Sequence, residues 1–216
     1  MKTGLSLIAL VLALSGCVNI GQHGNTPGVV YYVLDDNGSA AAPVPARADA
    51  LKDSDPPRAK ERAESAPTLL VPDTTAGGFY DADQLVFSRS AGTRGQYQFA
   101  RWTERPGKRF ADLLRARLDR LGSYRVAAVG GYVRGDLMLD TRLVEFYHDA
   151  SSEPGTMRLE LRAELVDLRQ RTLLGRRTFD QRVPLASYDA AGAAQASNVA
   201  VSRVLDDLSA WLATFQ

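Results

Sequence analysis

The sequence predicts an α/β fold, a mixed β-sheet of about five or more strands with two main helices packed on it. Two kinds of hydrophobic pattern indicate this. The segment from Met157 to Asp167 alternates apolar and charged residues, as a strand with one buried face does. The segments Pro106–Gly122 and Ala190–Phe215 repeat apolar residues every three or four positions, as amphipathic helices do. We therefore expect one sheet, covered by the apolar stripes of both helices.

The chain begins with a pattern typical of an export signal. Lys2 precedes an apolar run of about ten residues that ends at Leu14, too short for the roughly 20 residues of a spanning helix. Cys17, the only cysteine, follows Leu-Ser-Gly and resembles the bacterial lipobox, in which the thiol receives a diacylglyceryl group. Residues 1–16 are thus predicted to be a lipoprotein signal peptide. The alternative is an ordinary secretory signal with a cysteine at that place.

Residues 17–28 are polar and rich in glycine, and we expect a flexible tether there. The domain then runs over residues 29–216 and opens with a β-branched and aromatic strand at Val29–Leu34. Residues 35–66 lack hydrophobic periodicity and contain four prolines, which predicts a disordered Ala/Pro-rich loop. A short exposed helix across Arg58–Glu64 is the alternative there.

The middle of the chain predicts short strands before the first helix. Thr68–Val71 is one strand, and Gln84–Ser88 with Gln96–Trp102 forms a hairpin across the turn-rich residues 90–95. Pro106 opens the helix, where the missing N–H costs little, and Gly122 ends it. Tyr124–Val129 is a further short strand.

The last third of the chain predicts an antiparallel pair and a long helix. Asp136–His148 is a strand whose apolar phase changes after Leu143, which indicates a β-bulge. Met157–Asp167 and Leu173–Val183 pair through the turn near residues 169–171. In Met157–Asp167 five residues face the core: Met157, Leu159, Leu161, Ala163 and Leu165.

Composition and motifs argue against several functions. With 26 Lys and Arg against 25 Asp and Glu, the chain lacks the basic excess of a nucleic-acid-binding domain. It has no Gly-x-Ser-x-Gly turn, no Walker loop and no paired Cys/His cluster, so we expect no catalytic residues and no metal. His148-Asp149 is the only candidate pair of base and orienting carboxylate, and the alternative is a solvated turn after a strand.

Several aromatic residues fall near predicted turns or strand ends, where some would stay exposed. Aromatic side chains are favoured as anchors of protein interfaces. The candidate partner-binding residues are Phe79, Tyr80, Tyr97, Phe99 and Trp102. The alternative for each is a place at the margin of the core.

A series of segments, in this order, resembles the ABC-type transport auxiliary lipoprotein family of PqiC-like proteins. The segments are Tyr31–Leu34, Gly78–Asp81, Gln84–Arg89, Tyr97–Pro106, Leu143–Asp149 and the C-terminal helix with Trp211-Leu212. The long loop at residues 35–66 departs from the family pattern. The resemblance implies a domain similar to the N-terminal domain of TolB.

The resemblance also implies a non-enzymatic role. Members of the family lie on the outer membrane and bind a periplasmic MCE (mammalian cell entry) protein. That protein belongs to an ABC transporter that moves lipids between membranes. We expect no cofactor besides the diacylglyceryl and N-acyl lipid on Cys17, and Val18-Asn19 after it favour the outer membrane because neither is Asp. A homo-oligomeric ring matching the MCE ring is a further hypothesis. A stand-alone lipid carrier and an envelope enzyme are the alternatives.

Overall fold

The computed structural model describes residues 28–37, 66–130 and 133–215. The predicted signal peptide, the predicted lipidation site Cys17, nearly all of the tether and residues 38–65 of the predicted loop lie outside these residues. Among the described helices, none combines the length and the apolar character needed to cross a bilayer.

The described chain contains nine strands and two α-helices, followed by a 3₁₀ turn at Ala213–Phe215. The strands are β1 (Val30–Tyr32), β2 (Thr68–Leu70), β3 (Thr75–Ala76), β4 (Gln84–Ser88), β5 (Gly95–Trp102), β6 (Arg125–Ala127), β7 (Leu137–Asp149), β8 (Thr156–Asp167) and β9 (Thr172–Pro184). The helices are α1 (Pro106–Leu121) and α2 (Ala190–Leu212). The predicted mixed sheet with two helices is confirmed.

Strand β7 organises the sheet because it has neighbours along both edges. One edge pairs with β8 in antiparallel fashion, and β8 pairs with β9 in the same way. The other edge carries three strands in turn, β2, β3 and β4, all parallel to β7. Beyond them β2 pairs with β6, while β4 pairs with β5 and β5 with β1. The sheet is therefore mixed, with β1 and β9 at opposite edges.

The hairpin of β7 and β8 follows the predicted pattern closely. Leu159, Leu161, Ala163 and Leu165 have no exposed surface and Met157 has 2%, so the five predicted inward residues are confirmed. The register shifts between Leu143 and Glu145, where the phase change predicts the bulge. The extra residue moves Glu145 and Tyr147 to the face opposite the helices and leaves Phe146 and His148 on the helix face.

Helix α1 begins and ends as the sequence predicts. Pro106 stands in the first turn, and Gly122 has φ 69°, a left-handed conformation in which glycine carries no steric cost. Its apolar stripe consists of Phe110, Leu114 and Leu118, each of which is at most 2% exposed. These side chains lie in the same core cluster as the inward face of β8.

Asp189 caps the N-terminus of helix α2, and its carboxylate accepts a hydrogen bond of 2.7 Å from the Gly192 amide. A side chain at Gly192 would meet the Ser187 carbonyl at 2.1 Å, so the first turn requires a residue without Cβ. Further along, Val201, Val204 and Leu208 are fully buried. The helix lies on β8 and β9, with Ser197 donating to the Met157 sulfur.

The chain after β1 is more ordered than predicted. The loop is predicted to start at Asp35, yet the Asp36 side chain is only 4% exposed and accepts from the Arg117 guanidinium at 2.7 Å. The Asp35 amide donates to Asn198 on α2, and Arg109 donates to the Leu34 carbonyl. This turn therefore ties β1 to both helices, which composition alone does not indicate.

Candidate functional site

Two clusters of polar and aromatic residues lie at the end of β7. Alternate side chains of a strand point to opposite faces of the sheet. Glu145 and Tyr147 lie on the open face, while Phe146 and His148 lie on the face covered by helices. Strand β4 runs beside this end, with Phe87 in register with His148.

The open-face cluster consists of Tyr80, Arg94, Glu145 and Tyr147. The Tyr80 hydroxyl donates to Glu145 Oε2 at 2.5 Å, and Arg94 Nε donates to the same hydroxyl at 2.8 Å. Arg94 also pairs with Glu145 at 2.7 Å, and its guanidinium lies 3.8 Å from the Tyr147 ring centroid. Burial and the bond to Glu145 raise the pKa of Tyr80 to about 12, so Tyr80 remains a neutral donor.

The helix-face cluster centres on His148, which is 1% exposed. Its Nδ1 and the Tyr97 hydroxyl are 2.8 Å apart, and the Tyr188 ring meets the imidazole edge-on at 5.4 Å. Burial lowers the pKa of His148, and the carboxylates of Asp149 and Asp189 offset this only in part. The imidazole is therefore neutral at physiological pH. Burial also raises the pKa of Tyr97 to about 12.

His148 and Asp149 do not form a catalytic pair. The Asp149 carboxylate accepts from the Ser151 amide and hydroxyl, at 3.2 and 2.7 Å, while the imidazole is directed to Tyr97. His148 Nε2 has no hydrogen-bond partner among the residues that the structure describes, and it lies against Gly155, where a Cβ would approach to 2.1 Å. The expected solvated turn is wrong too, because β4 and Tyr188 cover the imidazole.

A hollow of about 300 Å³ opens beside the helix-face cluster. Its lining residues are Phe87, Arg89, Gln96, Tyr97, Gln98, His148, Ala150 and Tyr188. Three aromatic rings form the walls, and two amides and one guanidinium supply polar groups. Its volume is at the lower end of the roughly 300–1,000 Å³ of small-molecule sites.

A second hollow of about 270 Å³ lies between the C-terminal ends of α1 and α2. Leu118, Leu121 and Leu212 provide its apolar surface, and Tyr124 lines it while its hydroxyl donates to the Leu212 carbonyl at 3.2 Å. In the described part of the chain, no group of three or more His, Asp or Glu side chains could hold a metal ion.

The five predicted partner-binding aromatics are placed differently from one another. Phe79 is 44% exposed, and Tyr97 and Phe99 are half-buried. Trp102, at 3%, packs on Phe146 in the core, and Tyr80, at 8%, belongs to the open-face cluster. The last two side chains are therefore not available as surface anchors in the folded domain, which leaves Phe79, Tyr97 and Phe99 as candidates.

Sequence patterns did not point to Arg94, Arg89 or Tyr188 as site residues. Each stands in a turn or loop, where no periodicity marks the direction of a side chain. Glu145 and Tyr147 lie in the segment Leu143–Asp149 that carries the family resemblance. That segment was the available signal for the open-face cluster.

Two solved structures have similar folds, and a third matches more weakly. A crystal structure of a Xanthomonas campestris protein of family DUF330 has a TM-score of 0.66 at 21% identity, covering 84% of this chain and 94% of that one. A crystal structure of an uncharacterized protein has a TM-score of 0.62 at 13% identity, covering 86% and 99%. A lipoprotein from Neisseria meningitidis has a TM-score of 0.36 at 12% identity, covering 65% and 99%. A search of curated proteins finds no match.

A family model matches most of the domain. It covers residues 50–209, which include every described element from β2 through nearly all of α2. The family consists of lipoproteins that are auxiliary components of ABC-type transport. This agrees with the resemblance carried by Gly78–Asp81 and Leu143–Asp149. The chain belongs to the ABC-type transport auxiliary lipoprotein component family.

Proposed function

We propose that this protein is an outer-membrane lipoprotein that acts as a non-catalytic adaptor of an MCE-type ABC system for lipid transport between membranes. The observation that carries the proposal is the family match over residues 50–209, since the family serves ABC transport. The lipid is attached at Cys17 and holds the domain at the periplasmic face. The MCE protein of the transporter is the proposed partner.

The membrane assignment rests on the first residues of the chain. Several acyl chains on Cys17, each contributing roughly 0.8 kcal/mol per buried methylene, would make a firm anchor. Val18 and Asn19 follow, and neither is Asp, which by resemblance to the sorting rule of Gram-negative lipoproteins favours the outer membrane.

The chemistry of the described residues supports a binding role. His148 is enclosed and bonded to Tyr97, and Asp149 is directed to Ser151. Tyr80 and Glu145 are held by Arg94 on the open face. These groups bond to neighbouring residues and stabilise the end of β7. They are therefore suited to holding a binding surface in place.

Phe79 is the aromatic residue we assign first to the partner surface. It lies within the turn from Gly77 to Tyr80, in which the Tyr80 amide donates to the Gly77 carbonyl at 2.7 Å. That turn fixes the backbone while the Phe79 ring stays 44% exposed. A rigid, exposed aromatic ring is a typical interface anchor, because little conformational entropy is lost when it binds.

The alternative, a stand-alone lipid carrier, has less support. The space between sheet and helices is filled by side chains such as Leu161, Val204 and Leu208, which have no exposed surface. The hollows of about 300 and 270 Å³ are small and open to solvent. A carrier would purify with stoichiometric lipid beyond its covalent anchor, which native mass spectrometry would detect.

Co-purification tests the adaptor. Cell envelopes that contain the lipidated, tagged protein are solubilised, and the protein is captured by its tag. We expect an MCE protein in the eluate of the wild type. Phe79→Ala is expected to reduce that recovery, while Leu173→Ala, a control of similar exposure at 50%, should not. Eluates that contain lipid or unrelated envelope proteins but no MCE protein would favour the carrier.

A further inference from the structure

Strand β1 presents an apolar row to solvent. Val29, Tyr31 and Val33 occupy alternate positions and therefore share one face, with 44%, 62% and 54% of their surface exposed. Tyr32, between Tyr31 and Val33, packs against the core cluster, and Leu34 after Val33 is 2% exposed. Val30, between Val29 and Tyr31, is itself 50% exposed and adds apolar surface. The row thus runs along β1 and the residue on either side of it.

This row is unusual for the edge of a sheet. Edge strands are commonly protected by charged residues, prolines or a covering element, because exposed apolar edges associate. Strand β1 pairs only with β5 among the described strands, and its exposed row contains no charged residue. A surface of this kind indicates a contact partner.

The position of the row along the chain indicates which partner that is. Val29 stands 12 residues after Cys17, a distance of at most about 40 Å even if those residues were fully extended. Strand β1 is the first described strand after Cys17. We propose that Val29, Tyr31 and Val33 rest on the lipid surface to which Cys17 is anchored, which rests on the lipid attachment proposed above.

The chemistry of the row suits the boundary between lipid and water. Valine side chains are apolar, and tyrosine combines an apolar ring with a polar hydroxyl, as do the aromatic residues enriched at membrane interfaces. Arg101 lies in register with Tyr31, but Asp83 lies 4.0 Å from its guanidinium. The attraction is therefore mainly apolar, and we expect it to persist in salt.

Contact through β1 would orient the whole domain. From β1 the path across the sheet runs through β5, β4, β7 and β8 to β9, five steps of about 4.8 Å each. Strand β9 therefore lies about 24 Å from β1 across the sheet, which separates it from the proposed contact.

The single cysteine makes a clean test possible. In the lipidated protein the thiol of Cys17 is blocked, so Tyr31→Cys introduces one reactive thiol for an environment-sensitive fluorophore. The labelled protein is reconstituted in vesicles of phosphatidylethanolamine and phosphatidylglycerol, with or without nitroxide-bearing lipids. Leu174→Cys is the matched control, because Leu174 is 41% exposed and lies on β9.

We expect nitroxide lipids to quench the fluorophore at position 31 and not the one at position 174. Quenching should persist in about 1 M salt, where charges are screened within about 3 Å. With the fluorophore at Val33→Cys, adding Tyr31→Ser should lower the ratio of docked to undocked domain by about tenfold, because less apolar area is buried. A thermal unfolding midpoint equal to that of the wild type verifies that each variant is folded.

Three results would overturn the proposal. Equal and weak quenching at positions 31 and 174, with one reactive thiol in each protein, would show that the anchored domain does not dock. A blue-shifted emission at position 31 that grows with protein concentration, without quenching by lipid, would show that a second copy covers the row. Two reactive thiols would show that Cys17 is unmodified, which overturns the lipid anchor and the docking with it.

Discussion

The Asp36 carboxylate joins three parts of the domain at the scale of single residues. It accepts a two-pronged bond from Arg117 on α1, and Arg117 also bonds Asp206 on α2. Its side chain is 4% exposed, whereas that of Asp206 is 60% exposed. Buried pairs are costly to break because the remaining charge loses its partner, while exposed pairs contribute little.

Asp36→Ala should therefore lower the free energy of unfolding by about 3–5 kcal/mol, the range typical of a broken buried pair. Asp206→Ala, on the same arginine, should cost no more than about 1 kcal/mol. Urea denaturation of both variants measures the two values. Equal effects would mean that Arg117 does not distinguish between its two carboxylates.

His148 makes stability depend on pH. Burial lowers its pKa in the folded protein, whereas the unfolded chain binds the proton near the ordinary value of 6.5. The unfolded state thus takes up more protons below about pH 6.5, and stability falls as the pH falls. The limiting slope for one proton is about 1.4 kcal/mol per pH unit.

His148→Gln should flatten this dependence between about pH 7.5 and 5. The pKa values of Asp149, bonded to Ser151, and Asp189, bonded to Gly192, are lowered, so both carboxyls titrate below this window. His23 is present in both proteins and cancels in the comparison. Denaturation curves at several pH values would contradict the account if the variant kept the wild-type slope.

At the scale of elements, the alternation in β8 separates structural from surface positions. Leu161→Ala removes a fully buried side chain and should cost about 2–5 kcal/mol of unfolding free energy, through lost burial and a cavity. Arg162→Ala, one position along on the exposed face, should stay within about 0.5 kcal/mol. Similar losses in thermal or urea unfolding would mean that the strand is not buried on one side.

Elements with a long periodic pattern were predictable from the sequence, and short or clustered features were not. Strand β8 and both helices repeat their pattern over many residues. The type of each element and the face that it buries therefore follow from the residues alone. Strand β3 has only two residues, too few for any period. The Tyr80–Arg94–Glu145 cluster joins residues 51 and 65 positions apart, a proximity that only the sheet topology creates.

The aromatic candidates show the same division. Exposure near a turn depends on which face a side chain takes, and the hairpin of β4 and β5 is irregular between Gln84 and Val86. Trp102 points into the core and Phe79 does not, although both stand near strand ends. The sequence alone left both outcomes open.

At the scale of the whole molecule, the proposed lipid anchor would determine the membrane at which the domain works. Val18→Asp should retain the lipidated protein at the inner membrane, by resemblance to the Gram-negative sorting rule. Separation of the two membranes on a density gradient, followed by detection of the protein, gives the distribution. Val18→Ala is the control and should remain in the outer-membrane fraction, while an outer-membrane Val18→Asp protein would contradict the expected sorting.

The proposed adaptor role is tested most directly by in-cell photo-crosslinking of the protein, with the photoreactive residue placed at Phe79 and, as a control, at Leu173. Mass spectrometry then identifies the captured proteins. The account predicts an MCE protein crosslinked from position 79 and little or none from position 173. Capture of lipid alone, or of unrelated envelope proteins at both positions, would contradict it.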